Sequence, residues 1–403
     1  MVDAATILSR AAAGLGREIG RANGLPRAAY TDPAFLAHEQ DALFARTWMG
    51  VVFSEDVGAP GDAEPVVAAG VPVLIVRGTD GRVRAFHNVC RHRATIVLQA
   101  PAKGVRQFSC PYHAWTYDLD GRLVATPYFA GTKDSSPTER DPAALGLVPI
   151  ACGEWNHIVF INLDGRAPPL DDYLAGTRKL FAPLDLDRAR LGHRHAWDFA
   201  ANWKLVFDNW EVYHHVWVHE GVFDRMSDEV DLKTGEPYTR SDAEGAVMSL
   251  SLKAGSPRHL RQSGPLATGA LPPIPVKPGA TVPAAAAVAL LPNTTVTITR
   301  DAYVPAIYMP RAPDRTHARM AWYFHADALD EARAAGRDRV LDRWLGPTRR
   351  LEDRRGIRAQ DHRCMELQQA ARGSAVADDV VFSPTWEQNV HYFQRWVLAQ
   401  LAP

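Results

Sequence analysis

"CRHRATIVLQAPAKGVRQFSCPYH", residues 90–113, carries two cysteines and two histidines in two short clusters, Cys90 with His92 and Cys110 with His113. Structural zinc sites usually gather one ligand type per cluster, as a Cys pair and a His pair. Here each cluster is mixed: C-x-H, a gap of seventeen residues, then C-x2-H. Mixing suits two metal ions, because each loop then gives one ligand to each ion. A [2Fe–2S] centre with thiolates on one iron and neutral imidazoles on the other has that need. Exchanging thiolate for imidazole removes negative charge and raises the reduction potential. A zinc knuckle is the alternative for the same four residues.

The surroundings of the stretch are β-like. "EPVVAAGVPVLIVRGTDGRVRAFHNVC" alternates short apolar runs with Gly and Asp-Gly turns, "AWTYDLDGRLVATP" repeats the pattern, and "GEWNHIVFINLDG" (153–165) adds a strand. Residues 45–165 therefore form a small all-β domain. Residues 34–49 have helical spacing behind an Asp32-Pro33 start signal. Together with the Ala- and Arg-rich N-terminus, which is taken as an amphipathic helix rather than a transit peptide, they make residues 1–44 a helical segment expected to pack on the second domain. Residues 166–403 form that domain, α+β with an antiparallel sheet and flanking helices. Its expected helices are 202–220, 328–345, 348–371 and 385–400. Strands are expected in "TTVTITRDAYVPAIYMP" and "HARMAWYFHADAL", and a long irregular connection over 254–292.

Composition limits the function classes. The 403 residues fit two domains, with 46% hydrophobic and 23% charged residues and a net charge of −1. No polyanion partner such as nucleic acid is implied. Cys152 and Cys364 lie far apart without a motif, which fits a reducing, cytoplasmic setting better than a disulfide scaffold. The most apolar stretch, "VPAAAAVALLP" (282–292), is too short for a bilayer, which takes about 20 residues. Arg82, Arg84, Arg91, Arg93, Lys103 and Arg106 around the Cys/His stretch are either solvated loop charge or a basic face for an acidic redox partner.

A second cluster, "DNWEVYHHVWVHE" (208–220), places His214, His215 and His219 within six residues. Helix geometry alone favours His215 with His219, since i,i+4 neighbours share a face. His214 and His219 would stand about 140° apart.

"CRHR" followed by "CPYHAWTYDLDG" resembles the Rieske signature of ring-hydroxylating and related oxygenases, and "NWKLVFDNWEVYHHVWVH" resembles the iron-site helix of their α subunits. "QDHRCMELQQAARG", "FSPTWEQNVHYFQRWVL" and "LLPNTTVTITRDAYVPAIYMP" extend the likeness over nearly the whole chain. The resemblance implies an all-β Rieske domain and a START-like, helix-grip catalytic domain. Cys90 and Cys110 would hold the inner iron of the [2Fe–2S] cluster, and His92 and His113 the outer one. By the family pattern, an acid, two residues, His, four residues, His, the mononuclear Fe(II) ligands are His214 and His219 rather than His215. That spacing implies a helix that breaks or widens at the metal. Asp361, which stands five residues before Glu366 and eight before Gln369, would be the carboxylate ligand, with Asp353 the fallback. Glu211 would bridge an iron-ligand histidine to His113 of an adjacent subunit in a homotrimeric ring, and Asn209 beside it is the other candidate catalytic residue. The segment from Asn202-Trp203-Lys204 to Glu211 is slightly shorter than in several relatives, which puts the start of the helix in doubt.

The implied protein is a terminal oxygenase. Its electrons would come from NADH or NADPH through a separate flavin or iron–sulfur reductase, with or without a ferredoxin, since the chain has no dinucleotide fingerprint. Glu211 in "EVYH" looks like the branch acting on quaternary amines, and Trp210, Tyr213 and Trp217 could cage such a cation. The same aromatics could equally be core. An aromatic-ring dihydroxylating dioxygenase is the alternative, and a Rieske electron carrier without oxygenase activity the alternative of a different class.

Overall fold

Short apolar runs separated by turn residues between Met49 and Asn162 form nine strands: β1 (Met49–Phe53), β2 (Ala63–Ala68), β3 (Val71–Arg77), β4 (Val83–His87), β5 (Gln107–Ser109), β6 (Thr116–Asp118), β7 (Leu123–Ala125), β8 (Pro149–Trp155) and β9 (Ile158–Asn162). The structure is a computed structural model that describes residues 3–135, 137, 140–211, 214–219, 225–253, 255–257, 272–280, 285–334 and 357–402. The nine strands belong to one of two compact units, Phe44–Leu170; the other joins Met1–Leu43 to Asp171–Pro403.

In the smaller unit, six strands form an antiparallel sheet ordered β1-β9-β8-β4-β3-β2, and β5-β6-β7 form a separate three-stranded sheet. Two-residue turns make its tightest hairpins. Ala69 and Gly70 join β2 to β3, and Asn156 and His157 join β8 to β9, all four at positive φ. Such a pair matches the right-handed twist of the flanking strands. The two Cys/His loops flank β5 and share a core of Phe86, Val97, Phe108, Trp115, Tyr117, Leu119 and Leu147.

The larger unit holds a seven-stranded antiparallel sheet ordered β10-β16-β15-β14-β13-β12-β11. Its strands are β10 (Ala189–Phe199), β11 (Thr239–Glu244), β12 (Val247–Leu252), β13 (Ala286–Leu290), β14 (Thr294–Ile298), β15 (Tyr303–Ala312) and β16 (Arg315–His325). Its longer helices are α1 (Ala4–Leu15), α2 (Pro33–Glu39), α3 (Lys204–Asp208), α4 (Ala326–Ala334), α5 (Ile357–Ala371) and α6 (Gln388–Leu401). Asp3 caps α1 by accepting from Thr6 N–H at 2.7 Å, and the helix buries Ile7, Ala11 and Leu15, four residues apart on one face. Among the described residues no helix is long and apolar enough to cross a membrane.

Several elements differ from the sequence reading. The helix expected over 202–220 is only α3, five residues long. Valines and aromatic residues crowd the segment beyond it and have low helix propensity, and the chain leaves the helix at Asn209. The helix expected over 34–49 gives way to a wider turn at 40–44, and β1 starts at Met49. The end of the expected loop 254–292 is β13, an Ala/Val run in the interior of the sheet. Residues 335–356, including Asp353, lie outside the described residues.

Asn202, Trp203 and Lys204 fix the start of α3. The Lys204 ammonium is fully buried and donates to Glu39 Oε1 at 2.7 Å, while Trp203 Nε1 donates to Glu39 Oε2 at 3.1 Å. The ammonium also lies over the rings of Tyr30 (5.1 Å), Phe35 (5.8 Å) and Trp203 (5.1 Å). Burial pushes the Glu39 carboxyl up and the Lys204 ammonium down, and their mutual attraction opposes both shifts. Removing one partner strands a buried charge, a loss of about 3–5 kcal/mol. Lys204→Met is therefore expected to lower the free energy of unfolding in urea by about that amount. Glu39→Leu/Lys204→Met together is expected to recover most of it, and a double variant no better than the single one would refute the pair as the cause.

Candidate metal centres

The two cysteine loops of the smaller unit share one backbone design. Cys90 N–H donates to Thr95 O at 2.8 Å, and Ala94 N–H donates to Cys90 O at 3.0 Å. Cys110 N–H donates to Trp115 O at 2.8 Å, and Ala114 N–H donates to Cys110 O at 3.0 Å. Ala94 (φ 57°) and Ala114 (φ 53°) both take the left-handed conformation that closes such a turn. The histidine occupies the third position of one loop and the fourth of the other, and the two rings meet edge to face with centroids 4.6 Å apart. Asn88 ties the base of the first loop, accepting from Val97 and Leu98 N–H and donating to Leu98 O.

These residues fit a bridging iron–sulfur group. Both cysteines are buried and unpaired, and burial raises the Cys90 thiol, so a thiolate there calls for a cation. His92 Nδ1 is buried with no hydrogen-bond partner among the described residues, a state expected of a nitrogen meant for a metal. The His92 ring stacks on Trp115 at 4.8 Å and 6°. Tyr117 Oη accepts from Arg91 N–H at 3.0 Å and lies 3.3 Å from Cys90 Sγ, placed to donate to the sulfur. Of the basic residues around the stretch, Arg84 pairs with Asp80 and Asp120, Lys103 pairs with Asp62, and Arg93 lies over the Tyr112 ring at 5.6 Å.

The second donor set lies in the larger unit. His215 and His219 flank a single 3-10 turn, Val216–Val218, with ring centroids 5.0 Å apart. Nε2 of each lies 3.4 Å from Oδ1 of Asp361 on α5, and the three donor atoms fall within 4.8 Å of one another. Each ring engages an acceptor through Nδ1: His215 meets Glu211, and His219 meets Gln360 Oε1 at 3.2 Å. Ligand histidines need such acceptors to fix the tautomer and aim Nε2 at a metal. Burial would lower the His215 pKa, but hydrogen bonds to Asp361 and Glu211 overcome it and carry it to about 9. Asn209 donates to Asp361 Oδ1 at 3.1 Å. Glu366 and Gln369 hold α5 in place, accepting from Ala200 and Asn202 N–H.

His214 is the sequence-predicted ligand that the structure does not bring to this cluster, and His215 stands in its place. The His214 ring stacks on Trp386 at 5.2 Å and 6°. The helix ends at Asp208, and the 3-10 turn beyond it aims His215 and His219, four residues apart, at Asp361, in place of the five-residue spacing of the family pattern. Of the three aromatics considered for a cation cage, two are described. Trp217 is 70% exposed, Trp210 packs near Phe207, and Tyr213 lies outside the described residues. Sequence reasoning missed Gln360 and Trp386, since a glutamine acceptor and a stacking indole carry no motif.

Two loops offering a pair of cysteines and a pair of histidines in a β domain, with two further histidines and a carboxylate gathered in an α+β domain, define a redox protein with two metal sites. Residues 47–136 match the Rieske [2Fe-2S] domain family, and residues 186–402 match the family described as ring hydroxylating alpha subunit (catalytic domain). The chain belongs to the ring-hydroxylating alpha subunit family. It is 37% identical over 194 residues to a glycine betaine monooxygenase oxygenase subunit of Chromohalobacter salexigens, a match covering 48% of this chain and 42% of that protein. The chain thus spans less than half the length of that relative. In fold it is similar to a quaternary ammonium Rieske monooxygenase, with TM-score 0.72, 23% identity, and 94% and 96% of the two chains covered. It is likewise similar to naphthalene 1,2-dioxygenase from Rhodococcus sp., with TM-score 0.76, 18% identity, and 100% and 99% covered.

Removing the Tyr117 hydroxyl in Tyr117→Phe is expected to leave the visible spectrum of the cluster intact and lower its midpoint potential, because a hydrogen bond to the sulfur stabilises the reduced state. Protein-film voltammetry reads this, and an unchanged or raised potential contradicts the assignment of that bond.

Proposed function

We propose that this chain is the terminal oxygenase component of a Rieske-type oxygenase, hydroxylating or demethylating a small organic substrate with O2 and electrons from a separate reductase. The observation that carries the reading is the presence, in one chain, of both donor sets: Cys90, His92, Cys110 and His113, and His215, His219 and Asp361. A carrier without oxygenase activity needs only the first. When bound, the cluster supplies single electrons and the mononuclear Fe(II) supplies a site for O2 beside substrate. The chain's own part is to hold and orient. Glu211 and Gln360 fix the imidazoles, Asn209 engages Asp361, and Glu366 and Gln369 hold the helix that carries it.

A second ligand set replaces His215 by His214, and the acid-x2-His-x4-His spacing of Glu211, His214 and His219 favours it. Glu211 then serves as the bridge to His113 of an adjacent subunit, in a head-to-tail homotrimer. A protein of similar fold is described for inter-subunit electron transfer, which supports that arrangement. For substrate, a quaternary ammonium compound is favoured by the glycine betaine relative, and an aromatic ring by the family's own description.

Asp361→Ala is expected to abolish turnover and the mononuclear iron while the Rieske spectrum stays intact; loss of that spectrum too counts against two separate sites. In the pair His214→Ala and His215→Ala, the variant that loses the third iron per chain identifies the ligand. With a generic reductase, a trimethylammonium substrate is expected to drive O2 uptake with release of formaldehyde or hydroxylated product. Uptake driven only by aromatic compounds would turn the reading to a ring dioxygenase, and two irons per wild-type chain with no third would leave only the carrier.

A further inference from the structure

We propose that Asn209 is the positioning residue of the mononuclear site: it holds the oxygen of Asp361 that faces both histidines, and Asp208 in turn holds Asn209 in register. The proposal deepens the reading of this cluster as an iron site and rests on it. Oδ1 of Asp361 accepts from Asn209 Nδ2 at 3.1 Å, and the same oxygen lies 3.4 Å from Nε2 of His215 and of His219. A carboxylate at the side of a helix turns about its last torsion with little resistance. A donor fixed on one oxygen sets which oxygen a metal meets, and from which side, before the metal arrives.

Asn209 owes its own position to neighbours outside its helix. It is the C-cap of α3, with its N–H bonded to Leu205 O at 3.1 Å, and Trp210 N–H follows with a bond to Phe207 O at 3.1 Å. A five-residue helix has no stability of its own, so it must be held by tertiary contacts. Asp208, the last residue of α3, supplies one. Its Oδ2 accepts from Tyr30 Oη at 2.6 Å and its Oδ1 from Gln394 Nε2 at 2.8 Å. Gln394 Oε1 accepts from Leu25 N–H at 2.7 Å, and the Arg372 guanidinium covers the Tyr30 ring at 4.2 Å. The N-terminal segment, α3, α5 and α6 therefore all bear on the backbone step that delivers the Asn209 amide. The residue type follows: alanine removes the donor, and aspartate keeps the shape but sets an acceptor against an acceptor.

The test uses full-length protein with its cluster loaded. Fe(II) affinity of the second site is measured by chelator competition, and its geometry by the EPR spectrum of the nitric oxide adduct. Asn209→Ala is expected to bind Fe(II) about tenfold or more weakly, with altered EPR rhombicity and unchanged Rieske spectrum. Asn209→Asp is expected to change the nitrosyl spectrum even where affinity is kept, and it decides the matter should the alanine variant not fold. Tyr30→Phe, acting through Asp208, is expected to move the spectrum in the same direction as Asn209→Ala and by less. Affinity within about twofold of wild type and a wild-type nitrosyl spectrum in the folded Asn209 variants overturn the proposal. Wild-type protein that binds no iron beyond its cluster overturns the iron reading instead, a distinguishable result.

Discussion

A lysine with no solvent exposure is the constraint around which the larger unit is arranged. Lys204 requires a counter-charge and gets it from Glu39, 165 residues earlier in the chain, with three aromatic rings closing the rest of its shell. Leaving either charge alone in that interior is expensive enough that the N-terminal segment and the start of α3 must come together. One turn further on, the buried carboxyl of Asp208 needs hydrogen-bond donors and takes them from Tyr30 and Gln394. A buried ion pair and a buried hydrogen-bonded carboxyl on a single helical turn thus fix both ends of α3, and the chain leaves that turn toward the donor atoms. The rigidity a metal site needs comes here from polar bonds spread over four segments, not from a long helix.

The smaller unit solves the equivalent problem with backbone geometry. Each cysteine loop folds back through a bond from the fourth residue after the cysteine, and that residue is an alanine at positive φ in both loops. Left-handed alanine is strained, and the strain persists because β5, β6 and the shared core hold both loops. Repeating one loop design twice while moving the histidine by one position brings the two rings edge to face. Two ions with different ligand types need that arrangement, and a single tetrahedral zinc does not.

What the sequence shows and hides follows the range of the forces involved. The cysteines and histidines of residues 90–113 are legible because ligand type and spacing are local properties, and so are the hairpin turns around them. Asp361 is legible only through its pattern with Glu366 and Gln369. The pairing of Glu39 with Lys204 leaves no mark, since nothing in either neighbourhood names the other. The choice between His214 and His215 turns on where α3 stops, and there the low propensity of the residues beyond it acts together with Asp208 and its distant partners. The strand β13 is hidden by its Ala- and Pro-rich flanks, although its burial inside the sheet explains the composition.

Electrostatics also favours a cation among His215, His219 and Asp361, the proposed ligand set. Glu211 and Asp361 both bear on His215, and Glu387 lies near enough to Glu211 for their charges to interact. Burial, with the charges of Glu211 and Asp208, raises the Glu387 carboxyl. In such surroundings an imidazole that burial alone would neutralise takes up a proton, and its pKa climbs to about 9. The proton is a stand-in for positive charge that the carboxylates require. A divalent ion held by His215, His219 and Asp361 would supply that charge and would displace the proton, leaving Nε2 of His215 free to act as a ligand. The carboxylates that make His215 basic are thus the ones that would favour a metal there.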